Sequence, residues 1–463
     1  MRRFYTQFTA ALALFISLSA APAQTNVSTV DQIKQPFDWL KWGLDVRYRN
    51  EYFNNAQTLD SRAAYHEQEY FRYRGRLWTA ITPLTDLSLN VRLTTEPRTW
   101  FNRASYTPFR GRRGTDWTYG IFDTLNVQWR NALSLPATLT VGRQDIALGD
   151  GWLVLEGTPG DGSTTTFLDS ARLTCELKDQ HTTIEVIGIA QSAQDDNWLP
   201  TLNNQDRILV EQNERGAILN VENKSIAAAN LCGYFIYKHD ERVTSGGDSA
   251  DIYTLGGRVS GLLDEHWKYS VEGAYQFGEK QDLNIKYPSV STAYRDIDAY
   301  GANSRLTCLF KDRFNQQAYF CYEVLSGDNP NTGRDEMFDI LWGRWPRWSE
   351  MYNIYGYVGE TRVGQTANLH RFGPGYTITP MKNLDFIANY NLLFADTAKP
   401  TRAANAAEFN GGNFRGHYLQ AILKYKFNRY LSGHLWGEFI FPGDYYANHE
   451  LMSFLRAEMT MTF

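Results

Sequence analysis

The chain ends in the stretch Leu451-Met-Ser-Phe-Leu-Arg-Ala-Glu-Met-Thr-Met-Thr-Phe463, which alternates with a period of two residues. Because neighbouring side chains of a strand point to opposite faces, one face is mostly apolar and ends in Phe463, while the other carries Arg456 and Glu458. Such a strand fits a wall with lipid on one side and a water-filled lumen on the other. We therefore predict that this stretch is the final strand of an outer-membrane β-barrel.

The composition of the chain favours the same fold class. Of its 463 residues 14% are aromatic, and its mean hydropathy is −0.45. Beyond the amino-terminal segment the chain has no run of the ~20 consecutive apolar residues that a membrane helix needs, which excludes a helical membrane protein. Many aromatic residues in a hydrophilic chain instead fit strands with one face toward lipid and one toward water.

The amino terminus has the pattern of a signal peptide. Arg2 and Arg3 precede an apolar run from Phe8 to Ser19, and Ala21-Pro-Ala23 offers small residues for cleavage. We expect residues 1–23 to be the signal peptide, residues 24–41 a short periplasmic segment and residues 42–463 the barrel. Loss of the two arginines changes the formal net charge from −5 to −7, so nothing in the charge suggests nucleic-acid binding.

The connections between the alternating segments are short and long in turn, as in barrels with short periplasmic turns and long extracellular loops. Eight short and nine long connections predict a single-chain antiparallel barrel of 18 strands, with 16 as the alternative. The stretch 352–364 has two interpretations, as a further strand or as part of a loop. A soluble β-sandwich would not need aromatic residues at strand ends or this alternation of loop length. The predicted long connections are 53–65, 99–118, 147–163, 192–214, 240–250, 279–294, 327–365, 396–413 and 442–449.

Parity assigns one set of charged side chains to the lumen. An arginine on the lipid face at the bilayer midplane costs about 2–4 kcal/mol, so the arginines are expected to point inward. Most of them lie on the first three strands, and the last strand, which closes beside the first, adds another. The predicted pore-lining and substrate-binding residues are Asp45, Arg47, Arg49, Arg72, Arg74, Arg76, Arg92, Arg172, Arg258, Arg305, Arg456 and Glu458.

This set has two interpretations. In one, arginine–carboxylate pairs only brace a wide barrel, because carboxylates such as Asp45 and Glu51 share the same face. In the other, the arginines form a continuous basic wall, which would stabilise a negatively charged permeant and repel cations. Guanidinium groups bind carboxylates through two parallel hydrogen bonds, so a carboxylated sugar would suit such a wall.

Several segments resemble the alginate-export family of outer-membrane barrels. The segments are Asp45-Val-Arg-Tyr-Arg-Asn-Glu51, Val141-Gly-Arg-Gln-Asp-Ile146 followed by Gly149-Asp-Gly151, Thr166-Phe-Leu-Asp-Ser-Ala-Arg172, and Phe441-Pro-Gly-Asp-Tyr-Tyr446 with Phe454-Leu-Arg-Ala-Glu458. The resemblance implies an 18-stranded channel in the outer membrane of a Gram-negative-type bacterium, which exports an anionic polysaccharide such as a uronate polymer through an arginine-lined pore. Uptake of anionic oligosaccharides or small solutes through the same pore is the alternative.

The expected partners are therefore an anionic saccharide, outer-membrane lipid and lipopolysaccharide, with periplasmic secretion components as further candidates. An enzyme is not expected, because the eight histidines include no H-E-x-x-H motif and the chain has no G-x-S-x-G motif. A barrel enzyme or a structural adhesin is the least favoured alternative. We expect no cofactor or metal, since the Gly-Asp-Gly repeats of 147–163 lack the spacing of a calcium loop. The four cysteines lack metal-type spacing and are expected to be unpaired, some of them facing lipid.

Two further motifs have open roles. Arg143 shares the parity of the lipid-facing Val141, so it either guards the pore mouth or anchors loop 147–163 above the bilayer; the second is favoured. The stretch Trp342-Gly-Arg-Trp-Pro-Arg-Trp348 either stacks on carbohydrate or forms an aromatic core that holds a long loop together, and the aromatic core is favoured.

Overall fold

The structure, a computed structural model, describes residues 32–463 except for 57–59, 64–65, 102–113, 118–119, 157–166, 195–197, 204–207, 209, 245–246, 282–293, 344–347, 352–366 and 399–409. Its main element is a closed antiparallel barrel of 18 strands. Every strand pairs with its neighbours in sequence, and the first pairs with the last. The barrel strands are Leu40–Asn54, Glu67–Leu84, Leu87–Thr95, Gly120–Trp129, Ala137–Gln144, Leu168–Leu177, Thr182–Gln191, Gln212–Ile226, Ala229–Arg242, Ala250–Leu262, Trp267–Gln281, Tyr294–Leu309, Gln317–Leu325, Leu369–Met381, Leu384–Phe394, Phe414–Lys426, Leu431–Pro442 and Met452–Thr462.

Smaller elements lie in the connections. One outer loop contains the short hairpin of Arg98–Trp100 and Gly114–Asp116, and the next contains the pair Ile146–Ala147 and Leu155–Glu156. Two 3-10 turns, Ala132–Ser134 and Lys178–Gln180, lie in the short connections. Among the described residues, no helix combines the length and the apolar character needed to cross a membrane.

The predicted fold class and strand number are confirmed. The long connections occupy 55–66, 96–119, 145–167, 192–211, 243–249, 282–293, 326–368, 395–413 and 443–451, close to the predicted ranges. The first strand begins at Leu40, two residues before the predicted start of the barrel. Strands reach 18 residues in Glu67–Leu84, because tilted strands also extend beyond the bilayer. The predicted signal peptide and the stretch 352–364 lie outside the described residues.

Side-chain burial alternates along the strands, as the sequence parity requires. In the first strand Val46 and Tyr48 are each 43% exposed, whereas Arg47 and Arg49 are each 1% exposed. The exposed face carries aromatic contacts such as Tyr48 against Phe71, with ring centroids 4.8 Å apart. Alternation therefore sends the apolar side chains toward lipid and the arginines toward the lumen.

Two loops fold into the lumen and pack against one part of the wall. A β-bridge joins Val154 of the loop 145–167 to Trp342 of the loop 326–368, and the Trp342 indole Nε1 donates to Glu214 at 3.0 Å. The predicted aromatic core of residues 342–348 is not a single cluster in the described residues, because Trp348 packs against a different cluster and Trp345 lies outside those residues. Trp342 alone agrees with the favoured role, since its side chain is fully buried in an apolar cluster of loop and wall residues. Its loop members are Trp152, Leu153, Val154, Phe338, Ile340, Leu341 and Trp342, and its wall members include Ile187, Ile218, Ile236, Ile252 and Ile297.

All four cysteines are free thiols. Cys308 and Cys321 lie on adjacent strands but are not opposite each other, because Cys308 faces Ala318 and Cys321 faces Arg305. Cys321 is buried beside Asn391, and Cys232 packs against the loop cluster. These two thiols therefore point into the barrel rather than toward lipid.

Candidate functional site

The first two strands bring arginines together on the lumen side. Their register places Arg47 opposite Arg74, and Arg49 opposite Arg72. Like charges directly opposite one another destabilise a sheet, so this arrangement requires carboxylates nearby. The structure supplies them from both strands and loops.

The first carboxylates are Asp45 and Glu96. Asp45 accepts two hydrogen bonds from Arg74, at 3.0 and 2.9 Å. Glu96 follows the third strand and lies between two arginines, 2.7 Å from Arg47 Nη2 and 2.6 Å from Arg72 Nε. Glu96 is almost fully buried, so a loop residue neutralises the centre of the arginine array.

The seam between the first and last strands adds a second group of pairs. Arg49 lies opposite Glu458, and Glu51 lies opposite Arg456. Arg49 Nε donates to Glu458 at 2.7 Å, and Arg456 Nε donates to Glu51 at 2.8 Å. Arg456 also donates to Glu350, a residue of the long loop 326–368, at 2.9 Å. Barrel closure therefore completes the charged network.

A third group of charged pairs lies on the third and fourth strands, away from the seam. Arg92 donates to Asp123 at 2.8 Å and forms two further hydrogen bonds, both 2.8 Å, to Asp145. Asp123 lies beside a register shift opposite Arg92 and Leu93. The irregularity turns its carboxylate toward the lumen. Arg76 is buried opposite Asp45 and Thr94.

We call this ensemble the arginine wall. It contains eight arginines and seven carboxylates, so its formal charge is nearly balanced. Breaking a buried pair by removing one partner typically costs about 3–5 kcal/mol, because the remaining charge is left buried and uncompensated. Its members are Arg47, Arg49, Arg72, Arg74, Arg76, Arg92, Arg98 and Arg456, with Asp45, Glu51, Glu96, Asp123, Asp145, Glu350 and Glu458.

The remaining three predicted site residues lie apart from the arginine wall. Arg172 forms an ion pair with Glu185 on the neighbouring strand. Arg258 lies 3.5 Å from Glu222 and 3.6 Å from Asp150, beneath the loop that folds into the lumen. Arg305 is exposed, and its guanidinium lies 3.6 Å from the centre of the Tyr319 ring.

Three other arginines are also buried and have partners in the structure. Arg371 is buried against Glu323 at 3.1 Å and beneath the Trp348 ring, and Arg415 is buried with its Nη2 donating to the Asn368 carbonyl. Neither was predicted, although inward parity alone could have suggested both. Arg143 forms two hydrogen bonds to Asp169, of 2.8 and 3.0 Å, and stacks on Phe167 and on Trp198 from the loop 192–211.

One ionisable contact joins two outer loops. The Asp396 carboxylate lies 3.0 Å from His370 Nε2 and accepts a hydrogen bond from the Gly327 backbone N–H at 2.9 Å. Burial raises the pKa of Asp396, but the hydrogen bonds from His370 and Gly327 outweigh burial and hold its pKa below the usual range. The contact therefore favours the ionised form of Asp396.

Comparison with known proteins decides the family. The family model described as Alginate export matches residues 38–454, which is nearly the whole barrel. The chain belongs to the alginate export family. This membership confirms the resemblance noted in the sequence segments. It also identifies the chain as an outer-membrane channel. No curated protein sequence matches the chain.

Solved porin structures share the fold of this alginate-export chain at low sequence identity. Pseudomonas aeruginosa OccK8 (OprE) has a TM-score of 0.54 and 11% identity, with 91% of this chain and 98% of that chain covered. Acinetobacter baumannii OccAB2 has a TM-score of 0.55 and 10% identity, with the same coverage. P. aeruginosa OpdK with vanillate has a TM-score of 0.54 and 11% identity, again with 91% and 98% covered.

Proposed function

We propose that this channel passes anionic saccharides across the outer membrane and that its lead function is export of a uronate-type polysaccharide. The observation that carries the proposal is the arginine wall, a dense array of guanidinium groups on the lumen side of the first, second, third and last strands. Membership of the alginate export family supports an anionic polymer as cargo. Arginine suits this role because its planar fork matches a carboxylate.

The carboxylates already paired with the arginines of the wall affect how tightly cargo would bind. Every cargo carboxylate that approaches a guanidinium competes with a carboxylate already present, such as Glu96 or Glu458. Each contact is therefore weak, and several contacts along a polymer would add together. Conduction requires this balance, because a permeant must enter readily and also leave.

The direct test is reconstitution of the full channel in a planar bilayer. A reversal potential measured under a salt gradient is expected to show a preference for anions. Oligouronates are expected to block the current at concentrations at which neutral oligosaccharides of the same length do not. A channel that prefers cations, or one that neutral glycans block equally well, would refute the proposal.

A second candidate function is uptake of small carboxylated solutes. The described parts of two loops pack against the inner face of the wall, and a lumen that is partly filled in this way favours a small solute over a polymer chain. The structurally similar OpdK was solved with vanillate, a small aromatic carboxylate. Liposome-swelling rates separate the two functions, because a small-solute channel admits vanillate-sized anions and excludes oligouronates.

A further inference from the structure

A short segment of the loop 326–368 is bound tightly to the inner face of the barrel. The buried carboxylate of Glu438 accepts hydrogen bonds from Ser349 Oγ at 2.7 Å and from the backbone N–H groups of Glu350 and Met351, both at 2.9 Å. Tyr418 donates to the Trp348 carbonyl at 2.9 Å. Met351 is fully buried, so the backbone of residues 348–351 is fixed to the wall.

This anchoring directs the Glu350 side chain at the arginine wall. Its Oε2 lies 2.9 Å from Arg456 Nη2. The side chain of Glu350 is 23% exposed, whereas those of Arg456 and Glu51 are each 1% exposed. Glu350 therefore lies between the Arg456 guanidinium and the water of the lumen.

The position of Arg456 does not depend on Glu350. Glu51 already binds the guanidinium from the neighbouring strand, and the rings of Trp436 and Phe454 lie 5.3 and 5.0 Å from it. Trp436 is itself held by a 2.8 Å hydrogen bond to Glu438. A guanidinium held in this way stays in place whichever carboxylate occupies its lumen side.

We infer that Glu350 is a specificity-determining residue, a resident carboxylate that occupies the place of a cargo carboxylate on Arg456 and competes with it. The inference rests on the proposed function, because it assumes that cargo carboxylates reach the arginine wall. A carboxylated sugar displaces the Glu350 side chain by rotation about its side-chain bonds, while Glu438 keeps the backbone in position. A neutral sugar has no charge with which to compete and leaves Glu350 on Arg456.

The test is the full-length variant Glu350→Gln in planar bilayers. Glutamine preserves the shape of the side chain and the backbone contacts to Glu438 but removes the competing charge. The loss of one charge-assisted contact corresponds to about a tenfold change in affinity, so a short oligouronate is expected to block E350Q at about tenfold lower concentration than the parent. Glu336→Gln is the matched control, since it removes the same charge from the same loop. The Glu336 carboxylate accepts a hydrogen bond from the Asn329 backbone N–H rather than from an arginine of the wall.

The outcomes separate this inference from the proposed function. Tighter block of E350Q, with E336Q unchanged, supports competition at Arg456. Equal block of the parent and E350Q in a channel that prefers anions overturns the role of Glu350 and leaves the proposed function standing. Equal gains in E350Q and E336Q also overturn it, because the effect would then come from net loop charge. A parent channel that oligouronates do not block refutes both.

Discussion

Arg49 and Glu458 face each other directly across the seam of the barrel, and Arg49 Nε donates to Glu458 Oε2 at 2.7 Å. They belong to the first and last strands, 409 residues apart in the chain. The same carboxylate lies 4.0 Å from Arg47 Nε and 3.5 Å from His434 Nδ1. One side chain of the final strand therefore organises the charges of both neighbouring strands.

Glu458→Gln is expected to destabilise the barrel. Removing the carboxylate takes from the buried Arg49 its closest opposite charge and leaves Glu51, at 3.3 Å, to pair with it. Breaking a buried pair by removing one partner costs about 3–5 kcal/mol. The free energy of unfolding in urea, measured in detergent micelles or bilayers, checks this. The matched control is Glu265→Gln in an exposed turn, which is expected to change the free energy by no more than about 0.5 kcal/mol. Equal stability of the two variants would show that the seam pair contributes nothing.

Neutralising the second strand is expected to weaken anion preference. In the triple variant with glutamine at Arg72, Arg74 and Arg76, the carboxylates of Asp45 and Glu96 lose cations that they bind in the parent. The lumen then carries excess negative charge, and the reversal potential under a salt gradient should shift toward cations. Arg62→Gln is the control, since Arg62 is an exposed outer-loop residue paired with Asp60. An unchanged reversal potential in the triple variant would exclude the wall from selectivity.

Trp342→Ala is expected to loosen the loops that fold into the lumen. Trp342 is fully buried and donates to Glu214, and truncating a buried Trp typically costs about 3–5 kcal/mol. Because the cost falls on the loop cluster, we expect a larger and noisier single-channel conductance. Trp267→Ala, on the exposed face of the barrel, is the control. A conductance equal to that of the parent would show that these loops do not restrict the pore.

The Asp396 contact predicts an acid-sensitive loop. Because its pKa is lowered in the folded protein, the contact contributes stability above the unfolded value, about 3.9 for an aspartate. That stability is lost as the pH falls through the lowered value. Current fluctuations should therefore increase in strongly acidic buffer, and Asp396→Asn should show the same fluctuations already at neutral pH. If the parent and the variant show identical current fluctuations at both pH values, the Asp396 contact does not hold the loops in place.

The sequence predicts the barrel well because alternation and loop length are local signals. Parity placed Arg47, Arg49 and Arg456 on one face, and the register of the first and last strands follows from closure. Parity also places Asp45, Glu51 and Glu458 on that face, and they do pair with arginines of the wall. The sequence could not indicate the other carboxylates that neutralise the array. Glu96 and Glu350 reach the wall from loops, and Asp123 reaches it beside a register shift, so neither parity nor spacing identifies them. An array that appears basic in the strands alone is nearly neutral in the folded chain.

The seam also limits the order in which the barrel can form. Loop closure over some four hundred residues costs entropy that local contacts cannot repay early, so pairing of the first and last strands belongs to the end of folding. Until then Arg49 and Glu51 lie on a strand edge without their partners Glu458 and Arg456, and their charges need water. Insertion into the bilayer must therefore keep this edge hydrated, or covered by another protein's strand, until the final strand arrives.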